Sequence, residues 1–182
     1  AFMNFFRDKE IRFVAKDVLA RHIPLVSEML RAQQHCMVPR KGSPMIAMKV
    51  IQDFGNRVLE KNQIPIIFPE GTRTPRHGST QYKKGAARIA YYAGCDVQPI
   101  LVGGNDKYGL GKHDPIWSYN HTEKYVYDFK LLPEIKIDEY KELTETIAAK
   151  RLTDKMQEVV LAAVDENDNH YITNRDNQLN KK

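Results

Sequence analysis

The stretch IPIIFPEGTRTPRHGSTQYKKGAARIA, residues 64–90, decides how the rest of the chain is read. Its first five residues are apolar on both faces of an extended chain. That pattern predicts a strand covered on both sides, as in a parallel sheet. At its carboxyl-terminal end stands Pro69-Glu70-Gly71-Thr72-Arg73, and in open α/β sheets this edge is where ligands bind. After Glu70 the next acid is Asp96, and between them come Arg73, Arg76, Lys83, Lys84 and Arg88, with His77 beside them. Glu70 can accept a hydrogen bond from a hydroxyl, and Gly71 admits a ligand close to the backbone. Arg73 offers a planar fork of donors that suits a phosphate. Lys83-Lys84-Gly85 opens a helix expected over Lys84 to Ala93 and ended by Gly94, and a helix amino terminus adds partial positive charge. Together these describe a pocket for a small phosphate ester that also carries hydroxyls. The same strip also reads as a turn with a solvated basic face.

Working outward, IRFVA (11–15) and HCMV (35–38) read as strands. Asp17 can cap a short helix, and Pro24 suits the first turn of another, with Leu25, Val26, Met29 and Leu30 expected on its inner face. Ser43-Pro44 is a helix start, a capping serine followed by proline at the first position. Ala47, Ile51, Phe54 and Val58 then follow on one face. DVQPILVG (96–103) is the next strand, a Gly- and Asn-rich loop follows, and KYVYDFKLL alternates as another strand. From about Glu139 to Val164 an amphipathic helix carries Leu143, Ile147, Leu152, Met156 and Val159. Strand and helix alternate throughout, which predicts an α/β fold: a three-layer sandwich with a mixed, mostly parallel central sheet. One domain is expected over residues 1–164, and residues 165–182 read as a polar carboxyl-terminal tail.

A second window without acids runs from Met29 to Gln52 and holds Arg31, Arg40, Lys41 and Lys49. Arg40 falls just past HCMV, again at a strand's carboxyl-terminal end. It reads as a surface arginine or as a second phosphate ligand. The chain of 182 residues carries a net charge of +5, which fits an anionic ligand, an anionic membrane or nucleic acid about equally. No helix presents a row of Arg and Lys fit for a DNA groove, so no nucleic-acid partner is expected. The two cysteines, Cys36 and Cys95, have no Cys or His partner at metal-ligand spacing, so no metal site is expected and both read as reduced thiols. The phosphate-binding Gly-x-x-x-x-Gly-Lys-Ser/Thr and a strand-following Gly-x-Gly-x-x-Gly are both missing. No apolar run approaches the roughly 20 residues of a spanning helix.

FPEGTR, residues 68–73, resembles the signature of the glycerolipid acyltransferase family, most closely its 1-acylglycerol-3-phosphate branch. RFVAKDVLARHIPLVSEML (12–30) resembles the segment before the family's second block, and Arg40 falls where that block ends in arginine. KKGAARIA (83–90) and VQPILV (97–102) resemble the downstream helix and the fourth block with its proline. The resemblance covers roughly residues 10 to 105, in order. It implies a glycerol-3-phosphate acyltransferase-like fold, and acyl transfer from acyl-CoA or acyl carrier protein to a lysophospholipid or glycerol-phosphate acceptor in phospholipid biosynthesis. No cofactor is implied. Arg73 and Arg40 would hold the acceptor's phosphate, Lys16 would assist, Glu70 and Gly71 would hold the glycerol moiety, and Thr72 would support the turn. The expected setting is an anionic membrane surface on the cytoplasmic face, reached peripherally or through a segment outside this chain. Arg76, Lys83 and Lys84 would grip the donor's phosphates or steer the domain to anionic lipid. Two departures bear on the acceptor: Val38-Pro39 stands where the family usually has an acid before the arginine, and Thr74-Pro75 where it often has serine.

In the family, a His-x-x-x-x-Asp pair does the chemistry, with histidine as general base on the acceptor hydroxyl and aspartate orienting the imidazole. Here the six histidines, His22, His35, His77, His113, His121 and His170, are followed at the fifth position by Ser27, Arg40, Tyr82, Ser118, Val126 and Arg175. None is aspartate, so no catalytic residue is expected within this chain. The family places its pair shortly before the FVAK-like segment, which here lies next to residue 1. The expectation is an inactive fragment of an acyltransferase domain that lacks its amino-terminal catalytic block. The rival is a catalytically silent domain of the same fold that binds phosphate headgroups.

Overall fold

The computed structural model describes residues 9–22, 25–39, 42–72, 81–104 and 127–167. They fall into two compact units: Ala1–Pro69 with Lys84–Cys95 and Ile137–Lys150, and Glu70–Lys83 with Asp96–Lys136 and Arg151–Lys182.

In the first unit, β1 (Ile11–Lys16) lies between β2 (Cys36–Val38) and β3 (Ile64–Ile66), parallel to both. Lys16 pairs with Val38, and Phe13 with Ile66. The chain passes from β1 to β2 through α1 (Leu19–His22) and α2 (Val26–Ala32), then returns to β3 through α3 (Pro44–Lys61). Crossovers between parallel strands are right-handed as a rule. With β1 central, that rule puts α1 and α2 on one face of the sheet and α3 on the other. This is the layered α/β arrangement that the sequence predicts.

Helix α3 starts where Ser43-Pro44 says it should. Ser43 Oγ accepts the Met45 N–H at 3.2 Å, Pro44 takes the first turn, and Asn62 ends the helix with φ 48°. Ile51, Phe54 and Val58 are buried, and they form a core with Cys36 of β2 and with Ile89 and Ala93 of α4 (Gly85–Ala93). Gly94 closes α4 at φ 57°, as expected. Gly55 of α3 lies so close to α4 that a Cβ there would stand 2.6 Å from Tyr92 Cβ.

Two expectations for this unit need correction. Leu25, Val26 and Met29 do not form an inner face: all three are exposed, and the buried residue of α2 is Ser27. Polar anchoring turns the helix this way, with Ser27 Oγ donating to the Leu19 carbonyl at 2.9 Å and Arg31 donating to the Ala20 carbonyl at 2.8 Å. The strand over 64–68 is also shorter than its apolar run. It ends at Ile66; Ile67 packs on the core, and Phe68 stands 64% exposed.

In the second unit, β4 (Ile100–Gly104) pairs antiparallel with β5 (Tyr127–Leu131). Ahead of β4 a single bridge joins Val97 to Ile135, so the regular strand begins later than residue 96. Leu132, Val160, Ala163 and Val164 form this unit's core, with Leu101 and Val159 against it. The last helix, α5 (Glu145–Asn167), begins six residues later than the periodicity suggests. Ile137–Tyr140 is instead a 3-10 turn, and the Thr144 carbonyl accepts the N–H groups of Ile147 and Ala148 as the helix opens. Its buried side follows Ala148, Leu152, Met156 and Val160, one residue on from the expected Ile147, which is exposed. The helix runs to Asn167, past the expected start of the tail at 165. Residues 168–182, and the Gly- and Asn-rich loop over 105–126, lie outside the described residues.

Candidate functional site

The turn after β3 is built on Gly71, whose φ of +63° is a left-handed conformation that L side chains seldom adopt. A Cβ on Gly71 would meet Lys83 Cγ at 3.5 Å, so the turn rests on the Tyr82–Lys83 segment. Glu70, Gly71 and Thr72 are half-buried. Tyr82 is buried, its backbone N–H donates to Gln157 Oε1 at 3.3 Å, and its hydroxyl hydrogen-bonds to Glu70. Burial, and then the Glu70 carboxylate beside it, hold the Tyr82 hydroxyl well above the usual tyrosine range, so it donates and Glu70 accepts. Within the second unit the structure therefore brings together Glu70, Gly71, Thr72, Tyr82 and Lys83.

Sequence reasoning missed Tyr82. Its only signal is a large aromatic set in a polar stretch one residue before Lys83-Lys84, with no periodicity to mark it as buried.

Lys16 ends β1 opposite Val38 in the first unit, and the next residue, Asp17, donates its N–H to the Val38 carbonyl at 3.1 Å. Arg40 and Arg73 lie outside the described residues, as do Arg76 and His77, so the expected convergence of two guanidinium groups on one phosphate lies there too. Arg88 leaves the basic strip. Its Nε donates to Glu145 Oε1 at 2.6 Å, which ties α4 to the first turn of α5 within the first unit. Lys84 occupies the capping position of α4, and no side chain caps that end.

His35 has a structural place. Its Nδ1 accepts the Phe13 N–H at 3.0 Å, and its Nε2 lies 3.0 Å from Gln33 Oε1. Burial, and then the cations Arg12 and Arg57, push its pKa below the ordinary value. Cys36 is a free, buried thiol whose pKa is pushed up to about 12 by burial, and Cys95 is half-buried. Among the described residues no group of His, Cys, Asp and Glu is placed to hold a metal ion.

Comparisons with known proteins point one way. The family model described as Acyltransferase matches residues 1–103. A 1-acyl-sn-glycerol-3-phosphate acyltransferase of Cocos nucifera is 31% identical over 81 residues, 44% of this chain and 26% of that protein. One from Pseudomonas aeruginosa is 35% identical over 60 residues, 33% of this chain and 23% of that protein. These matches span about a quarter of the relatives' length. The crystal structure of the 1-acyl-sn-glycerophosphate acyltransferase of Thermotoga maritima matches 85% of this chain and 56% of its own, with TM-score 0.58 and 21% identity, a likeness of fold.

Proposed function

We propose, from the premise that this chain belongs to the acyltransferase family, that it serves glycerolipid acyl transfer by holding a lysophospholipid or glycerol-phosphate acceptor. The observation that carries the reading is the Glu70–Thr72 turn. A carboxylate held by Tyr82 and a glycine at φ +63° follow β3 in the chain, ahead of a segment without acids. Glu70 and Gly71 take the glycerol hydroxyl, Thr72 supports the turn, and Arg73 and Arg40 take the phosphate with help from Lys16. The acyl donor is a thioester, acyl-CoA or acyl carrier protein. The acceptor hydroxyl oxygen attacks the thioester carbonyl, a general base takes its proton, and the thiol leaves. The setting is the cytoplasmic face of a membrane, with peripheral attachment or an anchor outside this chain. Among the described residues no helix is long and apolar enough to cross a membrane.

A second reading has an observation of its own. The 182 residues hold no His-x-x-x-x-Asp pair, which favours a chain that by itself binds headgroups without turning them over. Calorimetry on the 182-residue chain tests the shared part, with a short-chain lysophosphatidate below its micelle concentration and the matching monoacylglycerol. Binding that depends on the phosphate is expected, with no acyl transfer when acyl-CoA is added. Equal affinity for the monoacylglycerol would sink the acceptor site. Turnover at an ordinary enzymatic rate would show that the catalytic base lies among these residues after all.

A further inference from the structure

We infer that Gln157, on α5, is a positioning residue for the Glu70–Thr72 turn and acts on it through Tyr82, a role that rests on the acceptor reading above. The two ends of this link lie in one compact unit, which holds Glu70–Lys83 and Arg151–Lys182. The family model ends at residue 103, so Gln157 stands well outside the segment that the family accounts for. Tyr82 lies in neither helix nor strand, so no ladder gives its backbone N–H a partner. The residue is 5% exposed, and an unpaired N–H in such a place is costly. Gln157 Oε1 accepts that N–H at 3.3 Å, from 75 residues along the chain. At the other end of the same residue, the hydroxyl donates to Glu70. One tyrosine therefore spans from α5 to the turn, with a directional bond at each end.

Burial alone does not supply this. Removing the Tyr82 ring from water is worth more than either hydrogen bond, but the hydrophobic effect has no direction. It keeps the ring inside without fixing where the hydroxyl points. The bond to Gln157 fixes the backbone from which the ring projects. The same backbone carries Lys83, whose Cγ lies 3.5 Å from the place of a Cβ on Gly71. A shift of Tyr82–Lys83 thus moves both supports of the turn at once, the hydroxyl on Glu70 and the lysine stem against Gly71. Helix α5 makes a firm anchor. Leu152 is fully buried, Thr153 and Met156 are buried, and Gln157 is half-buried at the margin of that side. A binding group is held accurately when its supports sit on rigid elements of this kind.

The test is calorimetry on the 182-residue chain with short-chain lysophosphatidate and its deoxy analogue, which keeps the phosphate and lacks the free glycerol hydroxyl. The ratio of the two affinities reads the grip of Glu70 on that hydroxyl and is blind to changes that weaken both ligands alike. Gln157→Met keeps the length of the side chain and removes the acceptor. It is expected to lower the ratio by about two- to ten-fold, the span of one hydrogen bond. Gln157→Glu restores an acceptor and is expected to keep the wild-type ratio. Gln157→Ala repeats the measurement should the methionine variant melt early. A lower melting temperature in Gln157→Met with an unchanged ratio overturns the inference and leaves the acceptor site standing. An equal fall of the ratio in Gln157→Glu overturns it as well. A wild-type ratio of one sinks the acceptor reading instead, and stability then decides the role of Gln157 without a ligand. Denaturation of Gln157→Met, Glu70→Ala and the double variant should show losses that do not add, because the two residues act through one tyrosine. Additive losses overturn the inference.

Discussion

Gly71 and Lys83 are in near contact: a Cβ on the glycine would lie 3.5 Å from the lysine Cγ. That is an ordinary van der Waals distance, so a methyl group fits. What does not fit is the backbone, because φ +63° is costly for alanine. Gly71→Ala is therefore expected to lose about 1–2 kcal/mol of stability from the conformation alone. Asparagine tolerates the left-handed region better than alanine, so Gly71→Asn should lose less. Chemical denaturation of the two variants checks the order. A larger loss for Asn than for Ala would point to crowding as the cause and away from the backbone.

Tyr82 gives a test of positioning. Its hydroxyl holds Glu70, and its raised pKa keeps it a donor across any ordinary assay pH. Tyr82→Phe keeps the buried ring and removes one hydrogen bond to a charged group, a change of about 1.5–3 kcal/mol. If Glu70 grips the acceptor's hydroxyl, affinity for lysophosphatidate should fall several-fold. Affinity for an analogue without that hydroxyl should stay as it was. Equal loss for both ligands, or a fall in melting temperature with no loss of affinity, would leave Tyr82 a packing residue only.

His35 predicts a pH dependence. Its Nδ1 can accept the Phe13 N–H only while unprotonated, and its neighbours Arg12 and Arg57 are cations. Its folded pKa lies below the unfolded value, so the unfolded chain binds the proton more readily in between. The stabilisation is thus complete above the ordinary histidine pKa of about 6.5 and is lost as pH falls through the folded value. Melting temperature should drop between neutral pH and mildly acidic pH. In His35→Gln the drop should be shallower. Parallel curves for the two proteins would assign the acid sensitivity elsewhere.

What the sequence showed, and what it hid, divides along physical lines. Ser43-Pro44, the Ile51–Phe54–Val58 spacing and Gly94 are local signals, and each matches the structure. The α/β alternation was legible for the same reason. The face of α2 was not. A helix of seven residues buries about one turn, and Ser27 and Arg31 choose which by reaching the Leu19 and Ala20 carbonyls, partners that no periodicity reveals. The start of α5 failed similarly, since an apolar pattern continues through a 3-10 turn that happens to bury Ile137 and Tyr140. At the candidate site the Glu70-Gly71 turn was readable from its residue types. Tyr82 was not, because the contact that matters is tertiary. Arg88 looked like part of a ligand strip only because Glu145, 57 residues away, is invisible from residue 88.

The α3–α4 packing leaves no room for a side chain at Gly55. The absent Cβ of Gly55 would stand 2.6 Å from Tyr92 Cβ and 3.2 Å from the Ile89 carbonyl oxygen. Neither is the end of a flexible side chain, so the helices must part. Gly55→Ala should lose about 1–3 kcal/mol, the range for overpacking, despite alanine's better helix propensity. Gly55→Ser, slightly larger, should lose at least as much. A stabilised Gly55→Ala protein in thermal unfolding would mean that α4 yields at no cost.

The last prediction isolates the phosphate. Arg73→Lys keeps the charge and removes the bidentate fork. If Arg73 binds the acceptor's phosphate, affinity for short-chain lysophosphatidate should fall by about 1–3 kcal/mol, the range for a charged hydrogen bond. Affinity for the matching monoacylglycerol should not change, because that ligand gives the fork nothing to hold. Melting temperature should also be unchanged, since a residue kept for a ligand supports no core. A structural arginine, tied to a carboxylate or to backbone carbonyls, gives the opposite pair of results. Both quantities are measured on one mutant protein, by calorimetry and by thermal unfolding. A clear loss of melting temperature with undiminished lysophosphatidate binding would take Arg73 out of the site, and the phosphate would then have to be sought at Arg40 and Lys16.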